Sequence, residues 1–349
     1  MTKKIEVGIL GGTGMVGQQF VRLLEQHPWF QLAWVGASDR SSGKKYAEAT
    51  SWRLDGSMPP NVAALTVNLC VPNGAPRLLF SAMDANAAEE VEQAFARAGH
   101  VVVSNSRNHR MEADVPLLVP EVNPDHLQLI PHQQRRRNWQ GQIVTNPNCS
   151  TVVLSMALAP LKPFGIRRVL ATTMQAISGA GYPGVSAMDI QANLIPFIAG
   201  EEEKMEQETQ KILGTLGGAS IQPHPAIVSA QCHRVPVVDG HTVAISVECD
   251  SKVSLEDLQR AITEFRGIPQ HRKLPSAPAQ PLVYLADRDR PQPRRDANRE
   301  NGMAVCVGRL RLCPVLQFKF GALGHNTIRG AAGAAILNAE LMHSEGMLD

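Results

Sequence analysis

A cysteine becomes a nucleophile when its thiolate is favoured and its sulfur can be reached. Cys149 sits in a sequence that offers both, Thr145-Asn146-Pro147-Asn148-Cys149-Ser150-Thr151, between an apolar strand-like run and the helical run Val152–Leu158. The pattern reads strand, tight turn, helix, with Cys149 in the first helical turn. There the unpaired backbone N–H groups and the positive end of the helix dipole favour a thiolate. Asn-Pro-Asn ahead of it exposes the sulfur at a turn instead of sealing it in a core. The chemistry implied is covalent catalysis.

A second group of residues could hold a nucleotide. The run Ile5–Leu10 is a strand, and it leads into Gly11-Gly12-Thr13-Gly14-Met15-Val16-Gly17 and a stretch of helical periodicity. Glycines at 11, 14 and 17 make G-x-x-G-x-x-G, a variant of the dinucleotide fingerprint, in which the backbone approaches a pyrophosphate at a helix N-terminus. The next strand, Gln31–Ala37, ends at Ser38-Asp39-Arg40-Ser41-Ser42-Gly43-Lys44. Asp39 could take a ribose hydroxyl, but the hydroxyls of Ser38 and Ser41 with Arg40 and Lys44 suit a 2′-phosphate better, so NADP is expected over NAD.

Strands at 77–82 and 100–105 around a helix at 85–98 continue the alternation of a parallel sheet. The polar turn Ser106–Met111 then falls at the sheet's C-terminal edge, where Arg110 is placed either to hold an anion or to be solvated. The basic stretch 131–142, with Arg135-Arg136-Arg137, reads as an exposed loop.

Beyond Cys149 a strand over 168–177 delivers Gln175, and Ser178-Gly179-Ala180-Gly181 follows as a flexible loop. Most charges of Glu201-Glu202-Glu203-Lys204 and the helix 205–213 are expected to face solvent. The runs 227–238 and 241–247 read as two strands of a hairpin across Asp239-Gly240, which would bring Arg234 and His241 near one turn. Residues 267–302 read as irregular connections and a place for a subunit contact. Strands near 303–312 and 315–320 precede a small-residue helix over 326–342, which is expected to return to the nucleotide domain.

The composition excludes several classes. A chain of 349 residues with 44% hydrophobic and 19% charged residues has the makings of a globular enzyme of about two domains. The net charge of +2 argues against a general nucleic-acid binder. Six scattered cysteines without a C-x-x-C pair suggest neither a zinc site nor a disulfide framework, so free thiols in a reducing compartment are expected. No run approaches the ~18 apolar residues of a membrane span, and the expected location is the cytoplasm.

With these pieces in order, the chain resembles the aspartate-β-semialdehyde dehydrogenase family, in its archaeal and fungal branch, over nearly its whole length. The resemblance rests on Gly11–Gly17, Asn146–Thr151, Gln175–Gly181, Gly200–Lys204, Arg234–Val237 with Asp239-Gly240-His241, and Arg290–Arg294. The stretch Gln133–Arg137 departs from it. The resemblance implies a Rossmann-like parallel-sheet NADP domain over 1–148, completed by a helix at 325–345, and an α+β catalytic and dimerisation domain over 149–324. It implies a homodimer or homotetramer that reversibly reduces L-aspartyl 4-phosphate to the semialdehyde with NADPH, toward lysine, threonine and methionine.

By the same likeness Cys149 is the nucleophile, His241 the acid/base and Gln175 the residue orienting the intermediate. Arg234 would bind the substrate carboxylate, Glu201 its amino group, and Arg110, Asn148 and Lys204 the phosphate. Thr13, Gly14, Met15, Val16, Ser38, Ser178, Gly179 and Asn326 would contact NADP, joining Gly11, Arg40 and Ser41. N-acetyl-γ-glutamyl-phosphate reductase and a non-catalytic nucleotide-binding protein of the same fold are the alternatives.

Overall fold

The computed structural model describes residues 3–348. They form two compact units: one of residues up to Leu118, His126–Asn146 and the chain from Ala335 on, the other of Val119–Asp125 and Pro147–Ala334.

The first unit is built on a six-stranded parallel sheet. Its strands are β1 (Ile5–Leu10), β2 (Phe30–Ala37), β3 (Val67–Leu69), β4 (Leu78–Ser81), β5 (Val101–Ser104) and β6 (Gln142–Thr145), in the order β3-β2-β1-β4-β5-β6. The order reverses direction at β1, which makes the end of β1 the switch point where such sheets bind ligands. β4, β5 and β6 are buried at every position, as expected for strands covered on both faces. Leu10, Trp34, Leu79, Phe95, Val102, Trp139 and Ile143 form one apolar cluster in this unit.

At the switch point the chain turns sharply into the helix Met15–Leu24. Gly11 has φ +74°, and a Cβ there would lie 2.7 Å from the carbonyl oxygen of Ala82. A Cβ on Gly17 would lie 2.5 Å from the carbonyl oxygen of Gly11. Only glycine lets strand, loop and helix pack this closely.

The basic stretch differs from its expectation. It is not a loop but the helix Ile130–Arg137, anchored by buried Gln133, whose amide bonds the backbone of Ile143 and Asp114. Arg137 is bidentate on Asp114 at 2.6 Å and pairs with Glu112, while Arg136 stays exposed. The acids that pair with Arg137 lie more than twenty positions earlier in the chain, so local sequence made the arginine look solvated.

The second unit is built on a mixed six-stranded sheet of β7 (Ile166–Gln175), β10 (Ile227–Arg234), β11 (His241–Cys249), β12 (Leu282–Leu285), β13 (Val305–Leu312) and β14 (Phe318–Gly324), ordered β10-β7-β11-β14-β13-β12. A two-stranded ladder, β8 (Thr215–Gly217) with β9 (Ser220–Gln222), lies apart from it. The expected hairpin of β10 and β11 does not form. β7 lies between them, parallel to β10 and antiparallel to β11. Asp239-Gly240 is a local turn signal, and it was outweighed by pairing with a strand more than fifty residues upstream.

Three further expectations are corrected here. The stretch 267–302 is not wholly irregular, since it contributes β12 and a buried ion pair of Arg290 with Asp296. The last helix is preceded by a wide helical turn over Ile328–Ala332 and runs Gly333–Ser344. The charges on the helix Glu201–Leu213 are largely engaged: Glu201, Glu208 and Lys211 are buried. Glu202 accepts the N–H of Cys232 at 2.9 Å and Glu206 that of Ala230 at 3.0 Å. Those carboxylates satisfy the outer edge of β10, a strand edge that would otherwise present bare donors.

Candidate active site

Cys149 is the first residue of the helix Cys149–Leu158, and its side chain is partly exposed while the rest of the helix is buried. Asn148 is the N-cap. Its Oδ1 accepts the N–H groups of Ser150 at 2.9 Å and Thr151 at 3.3 Å. An asparagine cap of this kind stabilises a helix start by about 1 kcal/mol. Its Nδ2 donates to both oxygens of Glu201, at 3.0 and 2.8 Å. The cap side chain therefore joins the start of the cysteine's helix to a carboxylate on another helix.

The sheet delivers three more side chains in a row. β10 ends at Arg234 opposite Gln175, the last residue of β7, and β11, running the other way, begins at His241. Parallel strands that end together and an antiparallel neighbour that starts there place all three at one sheet edge. The expected proximity of Arg234 and His241 therefore holds, although a hairpin does not produce it.

The backbone of Ala176 is shared between these two residues. Its N–H donates to Nδ1 of His241 at 3.1 Å, and its carbonyl accepts Nη1 of Arg234 at 2.8 Å. A Cβ on Gly179 would lie 2.9 Å from Nη1 of Arg234 and 3.0 Å from Nε2 of His241, so glycine is required for this close approach. Asn326 ties the flanking turns together, accepting the N–H of Gly240 at 2.9 Å and donating to the Ser178 hydroxyl at 2.8 Å. The expected flexible loop is a short helical turn over Ile177–Ala180.

The electrostatics are uneven. His241 is fully buried, and burial first, then the charges of Arg234 and His325, depresses its pKa to about 3. Because Nδ1 accepts a backbone N–H, the neutral ring carries its proton on Nε2, a buried atom with no protein partner. Burial is the largest single influence on Glu201 and raises its pKa. Lys204, Asn148 and Gln175 together outweigh it and hold the carboxylate below its usual range. Lys204 Nζ donates to Glu201 at 2.8 Å and Gln175 Nε2 at 3.4 Å. Burial lowers the Arg234 guanidinium, opposed by the charges of Cys149 and Glu201.

The remaining expected residues belong to the first unit. Gly11, Thr13, Gly14, Met15 and Val16 form the loop and helix start after β1, and Gly14 caps that helix without a side-chain hydrogen bond. Such a terminus suits a pyrophosphate. Ser38, Arg40 and Ser41 form a turn just past β2, with Ser38 and Arg40 exposed. Arg110 is buried and donates to the carbonyl of Asn105 at 2.7 Å.

Local reading missed residues that fix this machinery from behind. Tyr46 is buried and donates to the carbonyl of Gly12 at 2.8 Å, and Gln18 donates to that of Thr13 at 3.1 Å. Glu208 accepts the N–H of Asn148 at 2.6 Å. For Glu208 a signal existed, since it repeats the position of Glu201 two helical turns later on the same face. Among the described residues no group of His, Cys, Asp and Glu is placed to hold a metal ion, and no helix is long and apolar enough to cross a membrane.

Residues 6–130 match the family described as "Semialdehyde dehydrogenase, NAD binding domain", and residues 158–329 match "Semialdehyde dehydrogenase, dimerisation domain". The aspartate-semialdehyde dehydrogenase of Methanothermobacter thermautotrophicus is 51% identical over 97% of this chain and 99% of its own, and that of Schizosaccharomyces pombe 46% identical over 98% and 99%. The crystal structure of the Candida albicans aspartate-semialdehyde dehydrogenase with NADP superposes with a TM-score of 0.92 at 42% identity, covering 98% of this chain and 99% of that one. The chain belongs to the aspartate-semialdehyde dehydrogenase family.

Proposed function

We propose that this protein catalyses the reversible, NADPH-dependent reductive dephosphorylation of L-aspartyl 4-phosphate to L-aspartate 4-semialdehyde, on the route to lysine, threonine and methionine. The observation that carries the reading is a cysteine at a helix N-terminus whose cap is bonded to Glu201, in a unit where Arg234 and His241 share the backbone of Ala176. It lies in a chain 51% identical to an aspartate-semialdehyde dehydrogenase over nearly its full length.

In this reading the Cys149 thiolate attacks the acyl-phosphate carbonyl, the C–O bond to phosphate breaks, and a thioester forms. NADPH supplies the hydride that reduces the thioester, which accepts hydride where a carboxylate would not. The thiohemiacetal then collapses, releasing the aldehyde and restoring the sulfur. His241, proposed as the acid/base group, acts by presenting its Nε2–H to the acyl oxygen and stabilising the negative charge that builds there, while Gln175 orients the intermediate. Arg234 grips the α-carboxylate with its planar fork, and Glu201 complements the ammonium group. Arg110, Asn148 and Lys204 take the phosphate.

The uncapped helix start at Gly14 is the cradle for the pyrophosphate of NADP, with Thr13, Met15 and Val16. Ser38, Arg40 and Ser41 hold its 2′-phosphate, and Ser178, Gly179 and Asn326 complete the contacts. The working form is a homodimer or homotetramer, and free thiols suit a cytoplasmic protein. The test is NADP reduction with aspartate semialdehyde and inorganic phosphate, run beside N-acetylglutamate semialdehyde. Turnover confined to the aspartate compound is expected, and preference for the N-acetylated one would overturn the assignment.

A further inference from the structure

A helix start leaves its first four N–H groups without partners inside the helix. In the common capping box the N-cap side chain takes the N3 N–H, and a glutamate or glutamine at N3 reaches back to the N-cap N–H. The helix of Cys149 has only half of this arrangement locally. Asn148 accepts from Ser150 and Thr151, but the N3 residue is Thr151, which is not the long acidic or amide side chain that the box uses. Glu208 supplies the missing half from the helix Glu201–Leu213, accepting the Asn148 N–H at 2.6 Å.

Glu208 is 2% exposed. It stands two turns beyond Glu201, which holds the Nδ2 of the same asparagine. One helix face thus grips residue 148 twice, by backbone and by side chain, immediately before the cysteine. A carboxylate kept from solvent with such a short bond is a strong acceptor and a stiff one.

We propose that Glu208 is a positioning residue for Cys149, the remote member of a capping box that sets the direction in which the sulfur leaves the turn. The proposal rests on the reading of Cys149 as nucleophile. Glu208 touches neither substrate nor cofactor in it. Its effect belongs to the chemical step, because a nucleophile displaced by a fraction of an ångström loses rate before it loses binding.

The test compares Glu208→Ala, which removes the acceptor, with Glu208→Gln, which keeps one, in phosphate-dependent NADP reduction by the full-length protein. Glu208→Ala should lower kcat by about tenfold to a hundredfold, with KM for aspartate semialdehyde and NADP within about twofold of the unsubstituted protein. Glu208→Gln should recover most of kcat. Unchanged kcat in the alanine variant, a change confined to KM, or a glutamine variant as slow as the alanine one would overturn the proposal.

If the alanine variant does not fold, Glu208→Asp decides. Its acceptor is drawn back by one methylene, so reduced kcat supports the role and full kcat contradicts it. Cys149→Ala in the same assay separates the two claims, since turnover there would refute the nucleophile itself, whatever the Glu208 variants do.

Discussion

The backbone N–H of Ala176 donates to Nδ1 of His241 at 3.1 Å and so fixes which ring nitrogen carries the proton. The imidazole is held neutral with hydrogen on Nε2, and its depressed pKa, about 3, reinforces that state. To accept a proton at Nε2 the ring would have to be protonated on Nδ1 and give up the Ala176 bond. We therefore expect no His241 titration in the kcat profile between pH 5 and 8. Nitrogen NMR of labelled histidine should show an Nε2–H ring throughout that range. An inflection near pH 6.5 that vanishes in His241→Gln would contradict this.

The same residue affects stability. Its folded pKa lies below the unfolded value of 6.5, so burying it neutral costs nothing above pH 6.5, and stability is lost as pH falls toward about 3. The slope from this one group approaches about 1.4 kcal/mol per pH unit in that window. In denaturant melts the stability of the parent should fall relative to that of His241→Gln as pH is lowered from 7 to 4. Parallel curves would remove His241 from the acid sensitivity.

Gly179→Ala places a methyl group against Arg234 and His241 together, at 2.9 and 3.0 Å. Overpacking of this kind typically costs about 1–3 kcal/mol, and here it falls on the proposed substrate carboxylate site. We expect kcat/KM to drop by about tenfold or more, with the thermal unfolding midpoint lowered by several degrees. Full activity would show that the turn yields without cost.

Arg234→Lys keeps the charge but removes the fork, one arm of which holds the Ala176 carbonyl. KM for the semialdehyde should rise by about tenfold to a hundredfold, the range expected for a lost charged hydrogen bond, while NADP affinity is unaffected. An unchanged kcat/KM would sink the assignment.

Arg329 and Glu121 form a pair with both side chains fully buried, at 2.8 and 2.6 Å. Removing one partner of such a pair strands the other charge and costs about 3–5 kcal/mol. Arg329→Met should therefore lower the unfolding midpoint markedly, and Arg329→Met with Glu121→Gln should recover part of the loss. Equal instability of single and double variants would show that the charge left behind is not the cause.

What local sequence could disclose is clear from particular residues. The loop at Gly11 and the turn at Cys149 were legible because punctuation and periodicity are written within a dozen residues. Gly11 needs a positive φ, and Asn148 is a cap by its own side chain. The companions of Arg137, the insertion of β7 between β10 and β11, and the grip of Glu208 on Asn148 were hidden, because each joins residues far apart in the chain. The edge of β10 shows why charge patterns mislead: Glu202 and Glu206 looked solvent-facing, yet each accepts a strand N–H.

The most direct test of the account is Cys149→Ala in phosphate-dependent oxidation of aspartate semialdehyde, with NADPH binding followed separately by fluorescence. The account predicts NADPH binding within about twofold of the parent and turnover lost to background, since covalent catalysis has no substitute nucleophile there. Substantial residual turnover, with binding intact, would contradict it.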